Sequence, residues 1–584
     1  MQTDNMTDAL PISDREYSPE LSKKLKNLDP ENLTQLLKKL GSSIASGSEL
    51  IIRALKECGI KRLSAIAGTP LYPILTEASG QSIRLIGYRH QMAATMAAAA
   101  DNFSKGCIIH VVMASAGPAI TNTVTAIHFA NQNNWPLLVI GTRRSLIDEG
   151  CGYFQEWEAV SLMTPITKMA TTISKASEIM PCIHKAIETA INDITGPVYL
   201  EIPENVISEK AIALDLTLPT RKIVNVSAPA VDKVLGLLRK ANSPLLCLGE
   251  GLRWDIDTYA LRAFIEREQL PFITTPNSRG IVSETHPLCA NNARRTLPLE
   301  CDLFFMTGAW FDWRFRMGVE INPDASVIHV HPETNQLGRN VSPKISIACN
   351  AGVFTQALCV QSETSQDLES PARSFWISRV QQKCKEAEKK RLATLPDEQA
   401  SPMHPRAFFQ ALQLAMPASS MIAIDGSISL SYAQFALKPT QPFSWFDPGW
   451  NGLIGGSLGI AIGLKLANPH RPVFAIVSDT SFGMSGFEFE TCVRHRIPII
   501  AIVANNDGIS GSLRQKQLGD FEQPIAQFKS GIAYHKIAEE LGAHGFEIKT
   551  ADETALIVEQ ALALDKPICI NAYLDPDAPS PGIW

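Results

Sequence analysis

The sequence has 584 residues, of which 45% are hydrophobic, 19% charged and 7% aromatic. This balance is typical of a soluble globular protein, and the length predicts three or four domains. The formal net charge of −6, from 53 basic and 59 acidic side chains, creates no field that would attract a nucleic acid or an anionic membrane. Small molecules are therefore the expected partners.

The twelve cysteines and the polar N-terminus favour a cytoplasmic chain. No cysteine pair has the C-x-x-C spacing of a zinc ribbon or a redox motif, and the first thirty residues lack the apolar core of a signal peptide. No apolar run approaches the roughly 18 residues of a membrane span. We therefore expect reduced thiols, a cytoplasmic location and no membrane contact.

Residues 1–45 are predicted to form an N-terminal extension with one helix. Asp29 and Pro30 are typical of a helix start, and Gly41 is typical of a helix stop. Between them lies an apolar stripe of four leucines, Leu33, Leu36, Leu37 and Leu40. An apolar stripe of this kind is expected to pack against another apolar surface.

Residues 46–210 show the pattern of a first α/β unit. Helical stretches such as Met92–Ala100 alternate with apolar, strand-like runs, which are Cys107–Val112, Pro136–Ile140 and Pro197–Ile202. Alternation of this kind favours a parallel sheet with helices on its faces.

Two further α/β units are predicted over 228–360 and 404–576. Their strand-like runs are Leu245–Leu248 and Val327–Val330 in the second unit, and Phe474–Val477 and Ile499–Val503 in the third. The charged segment 361–403 is predicted to be a surface helix plus linker, and 577–584 a short C-terminal tail. The predicted fold class is therefore α/β, with three doubly wound parallel-sheet domains.

The most informative stretch runs from Val477 to Gly508 and predicts a strand, a helix over 486–495 and a second strand. Asp479 falls at the end of the first strand and Asn506 at the end of the second. Parallel strands bring these ends to one sheet edge, where ligands bind in open α/β sheets. The Asp479 carboxylate, the Asn506 amide oxygen and a main-chain carbonyl near Gly508 would converge as hard oxygen ligands, which suit Mg²⁺ or Ca²⁺ far better than zinc.

A diphosphate would complete such a metal site. Three protein oxygens leave coordination positions open, and the small residues Thr480 and Ser481 would let backbone amides and a hydroxyl reach diphosphate oxygens at the helix start. Taken alone, an Asp at a strand end and an Asn–Asn turn are more often structural than functional.

The residues around Asp479 resemble a known signature. The spacing of 27 residues from Asp479 to Asn506 is similar to that of thiamine-diphosphate enzymes of the decarboxylase and acetolactate-synthase superfamily, with Ser-Asp-Thr in place of the usual Gly-Asp-Gly. The run Ser481–Thr491 resembles the branch that contains oxalyl-CoA decarboxylase and 2-hydroxyacyl-CoA lyase. The resemblance covers about residues 47–576 and implies thiamine diphosphate and Mg²⁺ as cofactors.

The resemblance implies further cofactor contacts in the third unit. Gly452 and Ile454 fall in the segment whose bulky residue props the cofactor in a bent conformation, and Ile454 lies 25 residues before Asp479, as that pattern requires. An apolar residue between glycines is otherwise plain core. Ser427 falls at a strand end before a diphosphate-contacting loop, although the family's Asn-Thr pair is replaced there by Ile428-Ser429.

Two segments of the first unit resemble active-site segments of the lyases. Ala116–Ala119 falls on the family's Ser-Gly-Pro-Gly turn, and residues 152–157 resemble an active-site loop, with Phe154 and Gln155 where the decarboxylases carry Tyr and Glu. This favours a lyase whose Phe154 and Gln155 face substrate. In this family the cofactor lies between the first unit of one subunit and the third unit of another, so the resemblance implies a homodimer or homotetramer.

Gln91 departs from the family pattern at the position whose side chain activates the cofactor. A family glutamate hydrogen-bonds the aminopyrimidine ring and favours the imino tautomer, whose nitrogen takes the proton from the thiazolium carbon. Gln91 matches that position, and an amide can donate or accept but cannot ionise. Three outcomes stay open: slower activation with turnover, as in the glyoxylate carboligase branch that also lacks the acid; replacement by another acid or an ordered water; or cofactor binding without chemistry.

Two other departures concern the nucleotide and the acyl carrier. His331 stands where the branch usually has an Asp that grips the ribose of bound ADP, and a histidine cannot accept both ribose hydroxyls. Regulation by ADP is therefore not expected. The chain stops six residues after Ala578, so most of the lid that covers coenzyme A in the branch is expected to be absent, and the carrier is either coenzyme A in an open pocket or another group.

Together these features predict a thiamine-diphosphate-dependent lyase or carboligase of the 2-hydroxyacyl-CoA lyase type, acting on a 2-hydroxyacyl or 2-oxoacyl substrate. One alternative is a specialised carboligase or acyltransferase with a non-CoA acceptor. The other is a catalytically silent subunit that binds the cofactor.

Overall fold

The structure is a computed structural model that describes residues 44–222, 226–363, 370–392, 399–509 and 526–581, together with Asp29, Glu31, Asn32 and Gln35. Of the predicted N-terminal helix, Glu31, Asn32 and Gln35 are helical, and Asp29 Oδ1 accepts hydrogen bonds from the amides of Glu31 and Asn32 at 3.0 and 2.9 Å. The leucine stripe and Gly41 lie outside the described residues. Within the described ranges, no helix is long and apolar enough to cross a bilayer.

The chain divides into two compact units, Met1–Arg221 and Lys222–Trp584. The described strands of the first unit are β1 (Ile44–Ser46), β2 (Arg62–Ala65), β3 (Arg84–Gly87), β4 (His110–Ala114), β5 (Leu137–Arg143), β6 (Met169–Thr172), β7 (Pro197–Pro203) and β8 (Lys210–Ile212). Its described helices are α1 (Gly47–Glu57), α2 (Tyr72–Ser79), α3 (Gln91–Lys105), α4 (Pro118–Thr121), α5 (Val124–Gln132), α6 (Ala159–Met163), α7 (Ile179–Ile191) and α8 (Glu204–Ser208).

Six of these strands form a parallel sheet in the order β3-β2-β4-β5-β7-β6, and β1 pairs antiparallel with β8. Strand β4 is buried along its whole length, as an apolar run covered on both faces should be. Helix α3 buries Ala93 through Phe103, and its alanines let the helix lie close to the sheet. The carboxyl end of β3 therefore leads into a helix whose first turn, at Gln91, is fixed against the sheet.

The second unit holds two further parallel sheets. Its described strands are β9 (Pro244–Leu248), β10 (Phe272–Thr274), β11 (Leu303–Thr307), β12 (Ser326–His331), β13 (Ile345–Ala348), β14 (Met421–Ile424), β15 (Trp445–Phe446), β16 (Val473–Ser478), β17 (Ile500–Asn505), β18 (His544–Ile548) and β19 (Ile568–Tyr573). The described helices are α9 (Ala228–Lys240), α10 (Thr258–Arg267), α11 (Ala351–Glu363), α12 (Pro371–Leu392), α13 (Pro405–Ala415), α14 (Ser427–Ala436), α15 (Ser457–Ala467), α16 (Asp479–Ser485), α17 (Glu488–His495), α18 (Tyr534–Glu540) and α19 (Thr554–Leu562).

The strand orders explain where ligands can bind. The central sheet runs β10-β9-β11-β12-β13 and the third sheet β15-β14-β16-β17-β19-β18, so the third sheet repeats the connections of the first. In the first sheet the direction of winding reverses between β2 and β4. In the third sheet it reverses between β14 and β16. Ligands bind at such switch points. The predicted fold class, three doubly wound parallel α/β domains, is confirmed.

Helix α12 lies in the charged segment that was predicted to be a surface helix plus linker. Its residues Trp376 and Val380 are buried in the core under the central sheet. The buried Arg373 guanidinium donates to the carbonyls of Leu238, Ala241 and Glu268. The helix is thus bound to the central domain by apolar burial and by a set of charge-assisted hydrogen bonds.

Candidate functional site

Three helices begin at the carboxyl edge of the third sheet. Helix α14 starts at Ser427 directly after β14, and α16 starts at Asp479 directly after β16. Helices α14 and α15 have the glycines Gly426 and Gly456 at their N-caps, without a side-chain cap. Such helix starts present backbone N–H groups and the positive end of the helix dipole, which suits a diphosphate.

The backbone at this edge is packed too closely for larger residues. Gly426 has φ +87°, and a Cβ there would lie 2.8 Å from Cβ of Ser478. Gly455 has φ +82°, and its Cβ would lie 3.0 Å from the Met484 side chain. The turn after β14 and the loop before α15 therefore close on the start of α16, and form a cradle that only glycine allows.

Hydrogen bonds hold this cradle together. Asp425, which is buried, accepts from the amide of Ser457 at 3.0 Å and so ties the end of β14 to the start of α15. The predicted diphosphate contact Ser481 is also buried, and its hydroxyl accepts from the Gly455 amide at 3.1 Å and from the Ser478 hydroxyl at 2.8 Å. In this structure Ser481 thus positions the Gly455 loop.

The predicted metal ligands follow two neighbouring parallel strands, β16 and β17. Asp479 is 1% exposed, and its Oδ2 accepts from the Gly508 amide at 2.7 Å, while Oδ1 accepts from the Thr480 amide at 2.6 Å. Asn506 follows β17 and is also buried. The observed contact uses the N–H of Gly508, whereas the predicted ligand is a carbonyl of the same turn. Gly508 has φ +139°, and a Cβ there would lie 2.2 Å from the Ala526 carbonyl oxygen.

Burial disfavours the ionised form of the Asp479 carboxyl. Burial raises its pKa to about 6, against the lowering effect of the Gly508 and Thr480 amides. The ionised form is thus penalised in the protein alone, and a divalent cation would restore it. Its neighbour Asp507 instead accepts from the Ser530 hydroxyl at 2.7 Å and the Gly531 amide at 3.1 Å. The donor set, one carboxylate with amide and carbonyl oxygens, fits Mg²⁺.

Ile454 lies outside the core. Its side chain is 37% exposed, between Gly452 at φ +66° and Gly455. The exposed Met484 packs against Gly455 beside it. A large aliphatic side chain held out between two left-handed glycines is therefore available to a ligand, which answers the objection that Ile454 is plain core.

In the first unit, Gln91 is the first residue of α3 and follows the edge strand β3. The His90 ring caps the helix, because its Nδ1 accepts from the Met92 amide at 3.1 Å. Gln91 is half-buried, and its Oε1 accepts from Nδ2 of Asn122 at 3.0 Å. Asn122 ends α4 and was not identified from sequence, since the two residues are 31 positions apart.

The loop with Phe154 and Gln155 is organised by Glu156. The Glu156 carboxylate accepts from the amides of Gly150, Gly152 and Tyr153, the last two at 2.9 and 3.0 Å. Phe154 is 70% exposed, and the half-buried Gln155 lies against Gly117, whose Cβ would sit 3.0 Å from its Cγ. Glu156 was not predicted. An acidic residue beside two closely spaced glycines is the local signal for it.

Glu156→Gln is expected to loosen this loop. The amides of Gly152 and Tyr153 should exchange with solvent about two- to fivefold faster, since an exposed carboxylate is screened by water. The amides of Gly150, Tyr153 and Gly152 hold the pKa of Glu156 below the ordinary glutamate value of 4.5, so its stabilisation is full above 4.5 and is lost as the pH falls through the lowered value. Hydrogen exchange by NMR measures both effects.

The matched control for that variant is Glu149→Gln. Glu149 pairs with Arg143 at 2.9 Å and makes no such set of loop contacts. Equal exchange rates in the two variants would mean that Glu156 does not organise the loop.

His331 ends β12 in the central domain and is buried. Its Nδ1 accepts from the Glu333 amide at 3.1 Å, and its ring meets Trp310 edge to face at 5.5 Å. Burial lowers its pKa to about 4, so the ring is neutral at pH 7. A neutral ring with these partners offers nothing like the two acceptors of a carboxylate.

ADP is therefore expected neither to raise the melting temperature nor to stimulate activity. A thermal-shift titration with ADP checks this, and Mg²⁺–thiamine diphosphate is the positive control. A large ADP-induced shift would show that the central domain binds the nucleotide despite His331.

Three family models match the chain in order: the N-terminal TPP binding domain of thiamine pyrophosphate enzymes over residues 45–162, the central domain over 231–358 and the C-terminal TPP binding domain over 425–572. The chain is 26% identical to 2-hydroxyacyl-CoA lyase of Oryza sativa subsp. japonica, over 91% of this chain and 96% of the rice protein. It is 28% identical to human 2-hydroxyacyl-CoA lyase 1 (91% and 95%) and to a probable acetolactate synthase of Mycobacterium bovis (91% and 96%).

Proposed function

We propose that this chain, which belongs to the thiamine-diphosphate enzyme superfamily, is a carbon–carbon lyase or carboligase acting on a 2-hydroxyacyl or 2-oxoacyl substrate. The observation that carries the proposal is the buried Asp479 carboxylate in contact with the Gly508 turn, at the carboxyl edge of the third sheet. The exposed Ile454 beside the same edge supports it.

Each residue at the two edges has a role in this proposal. Asp479, Asn506 and a carbonyl near Gly508 would hold Mg²⁺. The diphosphate would lie on the helix starts and their loops, with Ser427, Gly452, Thr480 and Ser481 around it, and Ile454 would support the bent cofactor. When bound, thiamine diphosphate supplies a carbanion that adds to a carbonyl and an electron sink for carbon–carbon cleavage or formation. Gln91 would bind the pyrimidine, and Phe154 and Gln155 would face substrate.

A cavity of about 520 Å³ in the second unit supports coenzyme A as the acyl carrier. Arg391, Arg406 and Lys438 line it together with Glu388 and Asp552, and Lys438 pairs with Glu388 at 2.7 Å. The Arg391 guanidinium lies 5.0 Å from the ring centre of Phe435. Cations suit the phosphates of a nucleotide, and aromatic rings suit its base. Helix α14 is about 15 Å long and runs from Ser427 to this cavity, a span that a pantetheine arm can cover.

The test is cleavage of 2-hydroxyacyl-CoA thioesters by the protein loaded with Mg²⁺ and thiamine diphosphate. Breaking the bond between the thioester carbon and the hydroxyl-bearing carbon yields an aldehyde and formyl-CoA, and both are measured. The matching pantetheine thioester, which lacks the nucleotide, should show a kcat/KM lower by at least about tenfold. Equal values would remove coenzyme A from the proposal.

Because Gln91 replaces the activating glutamate, a second candidate function is a catalytically silent subunit that binds the cofactor. Retained thiamine diphosphate without decarboxylation, cleavage or ligation over a panel of 2-oxoacids and acyl-CoA thioesters would favour it. Ligation of a 2-oxoacid to a non-CoA acceptor in the same panel would favour the specialised carboligase.

A homodimer or homotetramer in the cytoplasm, without nucleic-acid or membrane partners, completes the proposal. It is supported by the resemblance and by the near-balanced charge of the chain. Light scattering of the purified protein tests the assembly, and a monomer that is fully active would contradict it.

A further inference from the structure

Asn122 and Gln91 form a side-chain pair at the carboxyl edge of the first sheet. Gln91 follows β3, and Asn122 follows β4 and the short helix α4. Nδ2 of Asn122 donates to Oε1 of Gln91 at 3.0 Å. The backbone of each residue is fixed. Gln91 is the first residue of α3, and the backbone N–H of Asn122 donates a hydrogen bond to the Pro118 carbonyl at 3.0 Å.

In the orientation that the structure shows, this contact leaves the nitrogen end of the Gln91 amide for a ligand. A glutamine side chain has one acceptor oxygen and one nitrogen with two donor hydrogens. Asn122 engages the oxygen, so the nitrogen of Gln91 is the end that points to a further partner. A ring nitrogen with a lone pair can accept from it, whereas a protonated ring nitrogen cannot.

We propose that Asn122 is a positioning residue that orients the Gln91 amide, so that Nε2 of Gln91 donates a hydrogen bond to the pyrimidine of the cofactor. The inference rests on the proposed function, because a bound thiamine diphosphate is what gives Gln91 this partner. The resulting polarity is opposite to that of an ionised glutamate, which attracts a proton to the same ring nitrogen.

The orientation has a consequence for activation. A donor at the ring nitrogen stabilises the pyrimidine with that nitrogen unprotonated, which is the form at rest. The Asn122–Gln91 pair therefore holds the cofactor in place and slows its activation at the same time. Reversing both amides preserves their mutual hydrogen bond but turns the Gln91 oxygen outward, so the two orientations differ in what they bind.

The experiment compares thiamine diphosphate with an analogue in which C–H replaces that pyrimidine nitrogen. Calorimetry in Mg²⁺ gives both affinities. The wild type should prefer the natural cofactor by about tenfold or more, because the analogue leaves the Gln91 donor unpaired. Gln91→Leu should have no preference.

Asn122→Asp is the informative variant. The ionised carboxylate that it introduces can only accept, so Gln91 must donate to it through Nε2 and turn Oε1 toward the ring. The preference for the natural cofactor should then fall to within about twofold, and exchange of the thiazolium proton should speed up. In a Gln91→Leu background, Asn122→Asp should change neither quantity, which excludes a direct effect of the new charge.

The outcomes separate this inference from the proposed function. An unchanged preference in Asn122→Asp, with the cofactor still bound, overturns the role of Asn122 and leaves the proposed function intact. A wild type without any preference would show that the Gln91 oxygen faces the ring, and would overturn it as well. Failure of the wild type to bind either compound would overturn the proposed function itself.

Discussion

Replacing Asp479 by alanine is expected to abolish Mg²⁺-dependent binding of thiamine diphosphate. The carboxylate is the one charged group in the proposed donor set, so its loss should exceed the roughly 10- to 100-fold reduction in metal affinity typical of losing an outer partner of a ligand. Calorimetric titration of the cofactor in Mg²⁺ measures the effect. Unchanged affinity would remove Asp479 from the metal site.

Two further variants separate charge from structure. Asp479→Asn can accept from only one of the Gly508 and Thr480 amides and carries no charge, so it should bind the cofactor as poorly as Asp479→Ala while losing less melting temperature than that variant. Asp507→Asn is the matched control, because Asp507 lies in the same turn and contacts Ser530 and Gly531 instead. It should retain affinity to within about tenfold.

Gln91→Glu is expected to speed exchange of the thiazolium proton by about ten- to 150-fold. A charge-assisted hydrogen bond to the pyrimidine would contribute on the order of 1.5 to 3 kcal/mol more than the amide does. Asn122 can donate to one carboxylate oxygen and leave the other for the ring. Desolvation of the carboxylate would raise its pKa and reduce the gain near neutral pH. Rapid quench and NMR measure the exchange.

Turnover need not rise as much as exchange in this variant, because a later step can limit a site adapted to an amide. Fast exchange in the wild type, with no acceleration in Gln91→Glu, would mean that another group activates the cofactor. If neither protein exchanges faster than free thiamine diphosphate, the silent-subunit interpretation is favoured.

Local patterns were enough to predict the three sheets. Alternating apolar runs fix the strands, and the strands β4, β5, β7, β9, β12, β16 and β17 all overlap the predicted runs. The prediction that Asp479 ends a strand is wrong, because β16 ends at Ser478 and Asp479 is the first residue of α16. The Ser478 hydroxyl accepts from the Ser481 amide and caps this helix. The helix predicted over 486–495 is observed as α17, which begins at Glu488.

Long-range partners could not be derived from spacing. Asn122 contacts Gln91 only because β3 and β4 end at the same sheet edge, and nothing in either local sequence records that meeting. The same holds for Arg373, whose carbonyl partners Leu238 and Glu268 come from other elements more than 100 residues away. Tertiary packing places Asn122 and Arg373 next to these distant partners. Their local sequences look like those of ordinary surface residues.

The most direct test of the account is a calorimetric titration of the wild-type protein with thiamine diphosphate, once in Mg²⁺ and once in a chelator. The account predicts one binding site per chain in Mg²⁺ and loss of binding when the metal is removed. Binding of equal affinity without a divalent cation, or no binding in Mg²⁺, would contradict the assignment of the third sheet's edge as a metal–diphosphate site.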